Sequence, residues 1–313
     1  MEKNTVTIIG AGLMGSGIAA CSTLGGHPTI LIDKTSTLAL AGVNRASQNL
    51  DQLLKNQLID KDQAGSAQAL LQVETDLERA VKNSFLVIEA ISENLPLKQQ
   101  LFQTLDQLTP PEVIIASNTS GLRITDIAKD ATHPERMATT HFWFPAHLVP
   151  LVEVVIGQKT DEAVAVRLHK LLLTWNKAPV IVKKDLPGQL ANRILQAVIR
   201  EAINIVQMGL ATPEDVDTAI KMGMGIRFPV WGPLEHIDGV GLDLALSVQR
   251  DVLAGLNNNP EPPQYLQALV DQDYLGYKTG KGFYDWQVKD MQDLADRRDR
   301  FIIEALRTLR TAG

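Results

Sequence analysis

Residues 6–20 read VTIIGAGLMGSGIAA. Four β-branched residues come first, then Gly-x-Gly-x-x-Gly at Gly10, Gly12 and Gly15, then small and apolar residues at helical spacing. That order reads as strand, tight turn and helix. Gly10 permits the turn, Gly12 lets backbone approach a pyrophosphate, and Gly15 lets the helix pack close to the strand. Leu13 and Met14 open the helix, whose unpaired N–H groups face the same phosphates. The glycine pattern alone is weak. Here the next predicted strand, TILI (29–32), ends at Asp33, 18 residues after Gly15. A carboxylate at that place can hold the ribose 2′- and 3′-hydroxyls, so the stretch predicts a dinucleotide site. An acid also repels a 2′-phosphate, which favours NAD over NADP, although Lys34 lies next to it. The alternative, glycines serving packing alone, is disfavoured by this context.

Working outward, no Asp, Glu, Lys or Arg occurs from Asn4 to Ile32. Six glycines between positions 10 and 26, with Ser16, Ser22, Thr23 and His27, argue against a membrane span or signal peptide. A strand–turn–helix–strand unit buried in a parallel sheet explains the lack of charge better. The chain's 313 residues suit two domains. A net charge of −6 argues against nucleic acid or an anionic membrane as the main partner. The lone cysteine, Cys21, excludes an intrachain disulfide, suits a reducing cytoplasm, and reads as a small buried apolar residue.

The first half alternates β-branched runs with helical patterns. Strands are expected at FLVIEAI (85–91), VIIASN (113–118), MATTHF (137–142), LVEVVI (151–156) and PVIVKK (179–184). Helices are expected from about Thr35 to Leu71, as a pair by length, from Leu97 to Leu108, and from Asp161 to Trp175. This alternation implies an α/β doubly wound, mostly parallel sheet. After Lys184 the strand signal stops and helical spacing takes over; Thr212, Pro213 and Asp215 form a good helix start. The expected division is residues 1–185, a dinucleotide-binding domain, and residues 186–313, an all-helical domain.

The stretch HFWFPAHLVPLVEVV (141–155) combines three aromatics, two histidines and one carboxylate in an apolar run. It fits a half-buried strand and a chemical centre equally well. It is settled by company. GAGLMGSGIA, IEAISENLPLK (88–98), SNTS (117–120), HFWFP, LVEVV, PGQLANR (187–193) and GFY (282–284) occur in one order. Together they resemble the L-3-hydroxyacyl-CoA dehydrogenase superfamily across essentially the whole chain. The resemblance implies a Rossmann domain, a helical dimerisation domain, and NAD-linked oxidation of an L-3-hydroxyl to a 3-keto group. It implies a homodimer in the cytoplasm and a place in fatty acid metabolism.

The resemblance also implies residue roles. His141 corresponds to the general base and Glu153, twelve residues on, to the acid that orients it. Ser120 and Asn192 correspond to contacts with the substrate oxygen. Asn118, Glu93, Lys98 and Lys278 correspond to cofactor contacts, beside Gly10, Gly12, Leu13, Met14, Gly15 and Asp33. The chemistry suits these types. Removing hydride from C3 requires loss of the hydroxyl proton, and an imidazole titrates near working pH. A neighbouring carboxylate fixes its tautomer and stabilises the imidazolium. Donors at Ser120 and Asn192 can meet the oxygen as it gains charge. Metal ligation by His141, His147 and Glu153 is disfavoured, since their spacing matches no compact metal motif. His147 as the base stays open. The stretch is expected at the sheet's edge, beside the cofactor cleft.

Two departures bear on the substrate. The fourth residue of HFWFP, an asparagine by resemblance, is Phe144, which cannot hydrogen-bond as an amide does. GMGIRFPVWGPLE (223–235) and the pair Arg297–Arg298 resemble the branch of L-gulonate 3-dehydrogenase, lambda-crystallin and L-carnitine dehydrogenase. Arg227 there could clamp a free carboxylate, or be a solvated or interface charge. KTGKGFY belongs to the acyl-CoA type, whose CoA contact falls in the 35–71 insertion. That region, with Lys34 just before it, offers only Arg45, Lys55 and Lys61 as further cations. The core motifs put a short-chain L-3-hydroxyacyl-CoA, such as 3-hydroxybutyryl-CoA, first. A free 3-hydroxy acid and a non-catalytic NAD-binding crystallin-like protein are the alternatives.

Overall fold

The computed structural model describes residues 4–311. An eight-stranded sheet dominates the first compact unit, residues 1–193. Its strands are β1 (Thr5–Ile9), β2 (Thr29–Ile32), β3 (Leu71–Glu74), β4 (Ser84–Glu89), β5 (Ile114–Ser117), β6 (Met137–Phe142), β7 (Leu151–Val155) and β8 (Ala178–Val182). They lie in the order β3-β2-β1-β4-β5-β6-β7-β8. The chain winds outward from β1 to β3, returns to β4 beside β1, and winds the other way. This is the doubly wound Rossmann arrangement, with its switch point between β1 and β4.

Period-two patterning gives each strand two apolar faces. Val6, Ile8, Leu86, Ile88, Ile114 and Ala116 pack on one side with Ile18 and Ala19 of helix Leu13–Leu24 and Leu168 and Leu172 of helix Glu162–Thr174. Ile9, Val87, Ile115 and Met137 pack on the other side with Phe102 and Leu105 of helix Leu95–Leu108. The buried faces explain why these strands read as continuous apolar runs.

Two expectations need correcting, while that of a mostly parallel sheet is borne out. The helical region after Thr35 forms helices Ser36–Lys55 and Lys61–Ala69, but Leu71 begins an edge strand instead. Strand β3 is four residues, LQVE, with one β-branched side chain, too little to stand out beside two helices. The sheet is parallel except where β7 meets β6 antiparallel. Residues 143–150 are too few for a parallel crossover, so the chain reverses. Finally, the 141–155 stretch does not lie at the edge: β6 pairs with β5 and β7, and β7 pairs with β8.

The second compact unit, residues 194–313, is helical. It holds helices Pro213–Ala219, Pro233–Val240, Leu242–Val252, Gln264–Asp271 and Met291–Thr311, and receives most of helix Ala191–Gln207. Thr212 caps as its sequence suggests, its Oγ1 accepting from Asp215 N at 3.2 Å. Residues 186–193 cluster with the sheet because Gln189 Nε2 donates to Thr119 O, and Leu190 N and Ala191 N donate to Glu153. Among the described residues, no helix is long and apolar enough to cross a membrane.

Candidate active site and dinucleotide turn

The glycine turn follows β1 at the switch point. Gly10 has φ +100°, and a Cβ there would stand 2.6 Å from Ala90 O. A Cβ on Gly15 would stand 1.8 Å from Gly10 O, so the helix can approach only because that residue is glycine. Gly12 differs: a Cβ there would meet nothing within 4 Å. Protein packing therefore does not explain it, whereas a ligand seated on the turn would. Gly12 also begins helix Leu13–Leu24 without a side-chain cap, leaving its first N–H groups for an anion.

Asp33, at the end of β2, accepts from Ala11 N at 2.8 Å through Oδ2 and from Lys34 N at 2.7 Å through Oδ1. Each oxygen keeps a lone pair for a ribose hydroxyl. Arg45 donates to Ala11 O and so braces the same turn. These features fit a dinucleotide with a free 2′-hydroxyl, as NAD carries.

A cleft of about 460 Å³ opens past the C-terminal ends of β4, β5 and β6, lined in part by Met14, Glu93, Asn118, Ser120, His141 and Asn192. Ligands of open α/β sheets bind at this end of the strands. His141 and Glu153 face each other directly across the antiparallel β6–β7 pair. His141 Nδ1 lies 2.7 Å from Glu153 Oε2. The carboxylate, fully buried, also accepts from Trp143 Nε1 at 3.0 Å and from the N–H groups of Leu190 and Ala191, both at 2.9 Å. Burial pushes the Glu153 pKa up, but the bonds from His141, Ala191, Trp143 and Leu190 outweigh it and hold it at about 2. The carboxylate is therefore ionised and can only accept. It accepts a hydrogen bond from His141 Nδ1–H, which leaves Nε2 as the accepting nitrogen of a ring that lines the cleft.

The loop after β5 is tied down on several sides. Asn118 Oδ1 accepts from Phe142 N at 2.8 Å, and Asn192 Nδ2 donates to Ser120 O at 3.2 Å. Glu93 Oε1 accepts from Thr119 Oγ1 at 2.5 Å, Gly121 N at 3.0 Å and Ser120 N at 3.2 Å. Burial pushes the Glu93 pKa up, but Thr119, Gly121 and Lys98 draw it below the usual carboxylate range. Lys98 is buried, its ammonium 2.5 Å from Glu89 Oε1 and 3.5 Å from Glu93 Oε2. It stands behind Glu93 and is not part of the cleft lining.

The structure thus brings His141, Glu153, Ser120, Asn192, Asn118 and Glu93 to one place, with Phe144 on the cleft wall and half exposed. His147 is turned to other work, its Nε2 2.7 Å from Gln52 Oε1. Arg227 and Lys278 belong to the helical unit. Arg227 Nε donates to Gly223 O, and Lys278 borders a separate apolar cavity of about 760 Å³. Arg297 and Arg298 pair with Asp293 and Asp299. Sequence reasoning passed over Trp143, Glu89 and Ser117, whose Oγ donates to Glu89 Oε2 at 2.6 Å. For Trp143 the signal was available: once β6 and β7 pair at His141 and Glu153, Trp143 lies diagonally from Glu153 on the same face.

With this geometry in place, comparison with known proteins is decisive. Residues 5–186 match the profile of the 3-hydroxyacyl-CoA dehydrogenase NAD binding domain, and residues 188–286 match that of the C-terminal domain. The chain belongs to the 3-hydroxyacyl-CoA dehydrogenase family. Family members that resemble it include mouse mitochondrial hydroxyacyl-coenzyme A dehydrogenase, 38% identical over 90% of this chain and 91% of that one. Another is 5-formyl-3-hydroxy-2-methylpyridine 4-carboxylate 5-dehydrogenase of Mesorhizobium japonicum, 33% identical over 97% of both chains. A crystal structure of a dehydrogenase of that pyridine carboxylate, described as an NAD+ dependent dismutase, superposes with a TM-score of 0.91. It is 32% identical and covers 98% of each chain. As a member of this family the chain is an NAD-dependent oxidoreductase with a small-molecule substrate.

Proposed function

We propose that this enzyme interconverts a 3-hydroxy and a 3-keto group on a compact acyl substrate, with His141 as the base. The observation that carries the reading is the 2.7 Å contact between His141 Nδ1 and the ionised Glu153 carboxylate. The substrate hydroxyl donates to His141 Nε2, which takes its proton as the C3–H bond breaks. Bound NAD supplies the hydride acceptor. Glu153 holds the imidazole in the required tautomer and stabilises the imidazolium. Ser120 Oγ and the second N–H of Asn192 Nδ2 orient the substrate oxygen; the Asn192–Ser120 contact supports their joint action. Gly10, Gly12, Leu13, Met14, Gly15 and Asp33 hold the dinucleotide, and Asn118 and Glu93 keep the nicotinamide end of the cleft in shape.

The first substrate class is a short-chain L-3-hydroxyacyl-CoA, which carries with it a role in fatty acid metabolism; the lone cysteine, Cys21, supports a cytoplasmic location. A second reading, a small free hydroxy acid, is favoured by Phe144, half exposed where the family pattern has an amide. It is also favoured by Arg45, whose bond to Ala11 O leaves fewer cations for a polyphosphate. The relative named for a pyridine carboxylate supports it as well. NADH formation with 3-hydroxybutyryl-CoA, 3-hydroxybutyrate, carnitine and gulonate separates the two. Turnover of the thioester alone supports the first; turnover of a free acid alone sinks it. No NADH from any of them, with NAD bound, points to a non-catalytic role.

We also propose a homodimer formed through the helical unit. There, the buried hydrophobics among the described residues are Ile203, Val216 and Ile303, while Leu234, Leu242, Leu246 and Val248 are exposed. A helical layer with so little core of its own needs a partner surface. A monomer mass by light scattering would refute this.

A further inference from the structure

We infer that Trp143 is a positioning residue for the base pair of the site, acting through the Glu153 oxygen that it shares with His141. The inference rests on the reading of His141 as the base. Trp143 Nε1 donates to Glu153 Oε2 at 3.0 Å, and His141 Nδ1 lies 2.7 Å from that same atom. The other oxygen, Oε1, is occupied by the N–H groups of Leu190 and Ala191. Four donors thus converge on one buried carboxylate, two on each oxygen.

The Trp143 bond has two consequences. It fixes the carboxylate rotamer, since Oε2 cannot turn from His141 without also leaving the indole. It also draws electron density from the atom on which His141 depends. A carboxylate oxygen with a second donor holds an imidazolium less strongly than one serving His141 alone. The indole itself is half buried, lines the cleft, and lies with its ring centroid 5.6 Å from that of His141. Trp143 therefore moderates a pair that Glu153 would otherwise bias towards the charged histidine.

Few other charges compete for this role. Glu93 lines the cleft, with Lys98 and Glu89 paired behind it. Arg193, beside Asn192, donates to Pro187 O. Strands β5 and β8, which flank the β6–β7 pair, bring Ser117 and apolar side chains but no ionised group to it. Glu153 is thus the ionised group in direct contact with His141.

The test is the pH dependence of kcat/KM in both directions for Trp143→Phe, which keeps a ring and removes the N–H. With His141 better stabilised in its charged form, the acid limb of oxidation and the alkaline limb of reduction both move to higher pH. A half-unit move lowers oxidation about threefold on the acid side, relative to the variant's own plateau. Loss of packing alone lowers the plateau and leaves both limbs in place, and that result overturns the inference. In a Glu153→Gln background, Trp143→Phe is expected to move neither limb, since the shared oxygen has lost its charge. A full shift there also overturns it. His141→Gln serves as the control: robust turnover in that variant defeats the base assignment itself, whereas an inactive His141→Gln with unmoved Trp143→Phe limbs defeats only the role of Trp143.

Discussion

Glu153 Oε1 accepts the backbone N–H of Ala191 at 2.9 Å, so the acid that faces His141 also pins the first residue of the helix carrying Asn192. One carboxylate on β7 therefore registers two parts of the site that are far apart in sequence. Its negative charge is favoured there by the helix N-terminus as well as by its donors.

This arrangement makes stability depend on pH. The Glu153 pKa is depressed from an ordinary 4.5 to about 2 in the folded chain. Its contribution, roughly 3 kcal/mol, is complete above the ordinary value and is lost as pH falls through 4.5 towards 2. Urea unfolding across that window should show a steep loss in the wild type and a shallower one in Glu153→Gln. Equal slopes would refute the assignment. At neutral pH the same variant should lose about 10²-fold or more in kcat.

The two histidines should separate cleanly. His141→Gln is expected to lower kcat by about 10²- to 10⁴-fold. His147→Gln should retain most of its turnover, because His147 Nε2 is engaged by Gln52. Comparable losses in both would return His147 to contention.

At the cofactor turn, Asp33→Ala removes the acceptor for Ala11 N and the one proposed for the ribose. The KM for NAD should rise about 10- to 100-fold, as expected for hydrogen bonds to a charged group, with a weaker preference over NADP. An unchanged KM sinks the ribose assignment.

Gly15→Ala tests the turn itself. Its Cβ would meet Gly10 O at 1.8 Å, a backbone atom that can yield only by moving the helix. Destabilisation of about 1–3 kcal/mol and impaired NAD binding are expected in thermal unfolding and titration. A variant with wild-type melting would show that the turn yields more easily than this.

Phe144→Asn restores the amide of the family pattern on the cleft wall. If the aromatic ring is what narrows substrate choice, kcat/KM for 3-hydroxybutyryl-CoA relative to 3-hydroxybutyrate should rise about tenfold. An unchanged ratio would place specificity elsewhere.

Sequence by itself determined the dinucleotide turn, Asp33 at the end of the second strand and the alternation that makes a doubly wound sheet. Each depends on short-range periodicity or on a motif whose spacing the chain carries locally. Tertiary structure decided the rest. It reversed β7 against β6, which set His141 opposite Glu153 and put Trp143 within reach of the same oxygen. It also buried Lys98 between Glu89 and Glu93 and gave His147 to Gln52. Those contacts join residues up to 95 positions apart. They follow from strand register and from the demand that buried charges find partners, and neither is written in any single stretch of the chain.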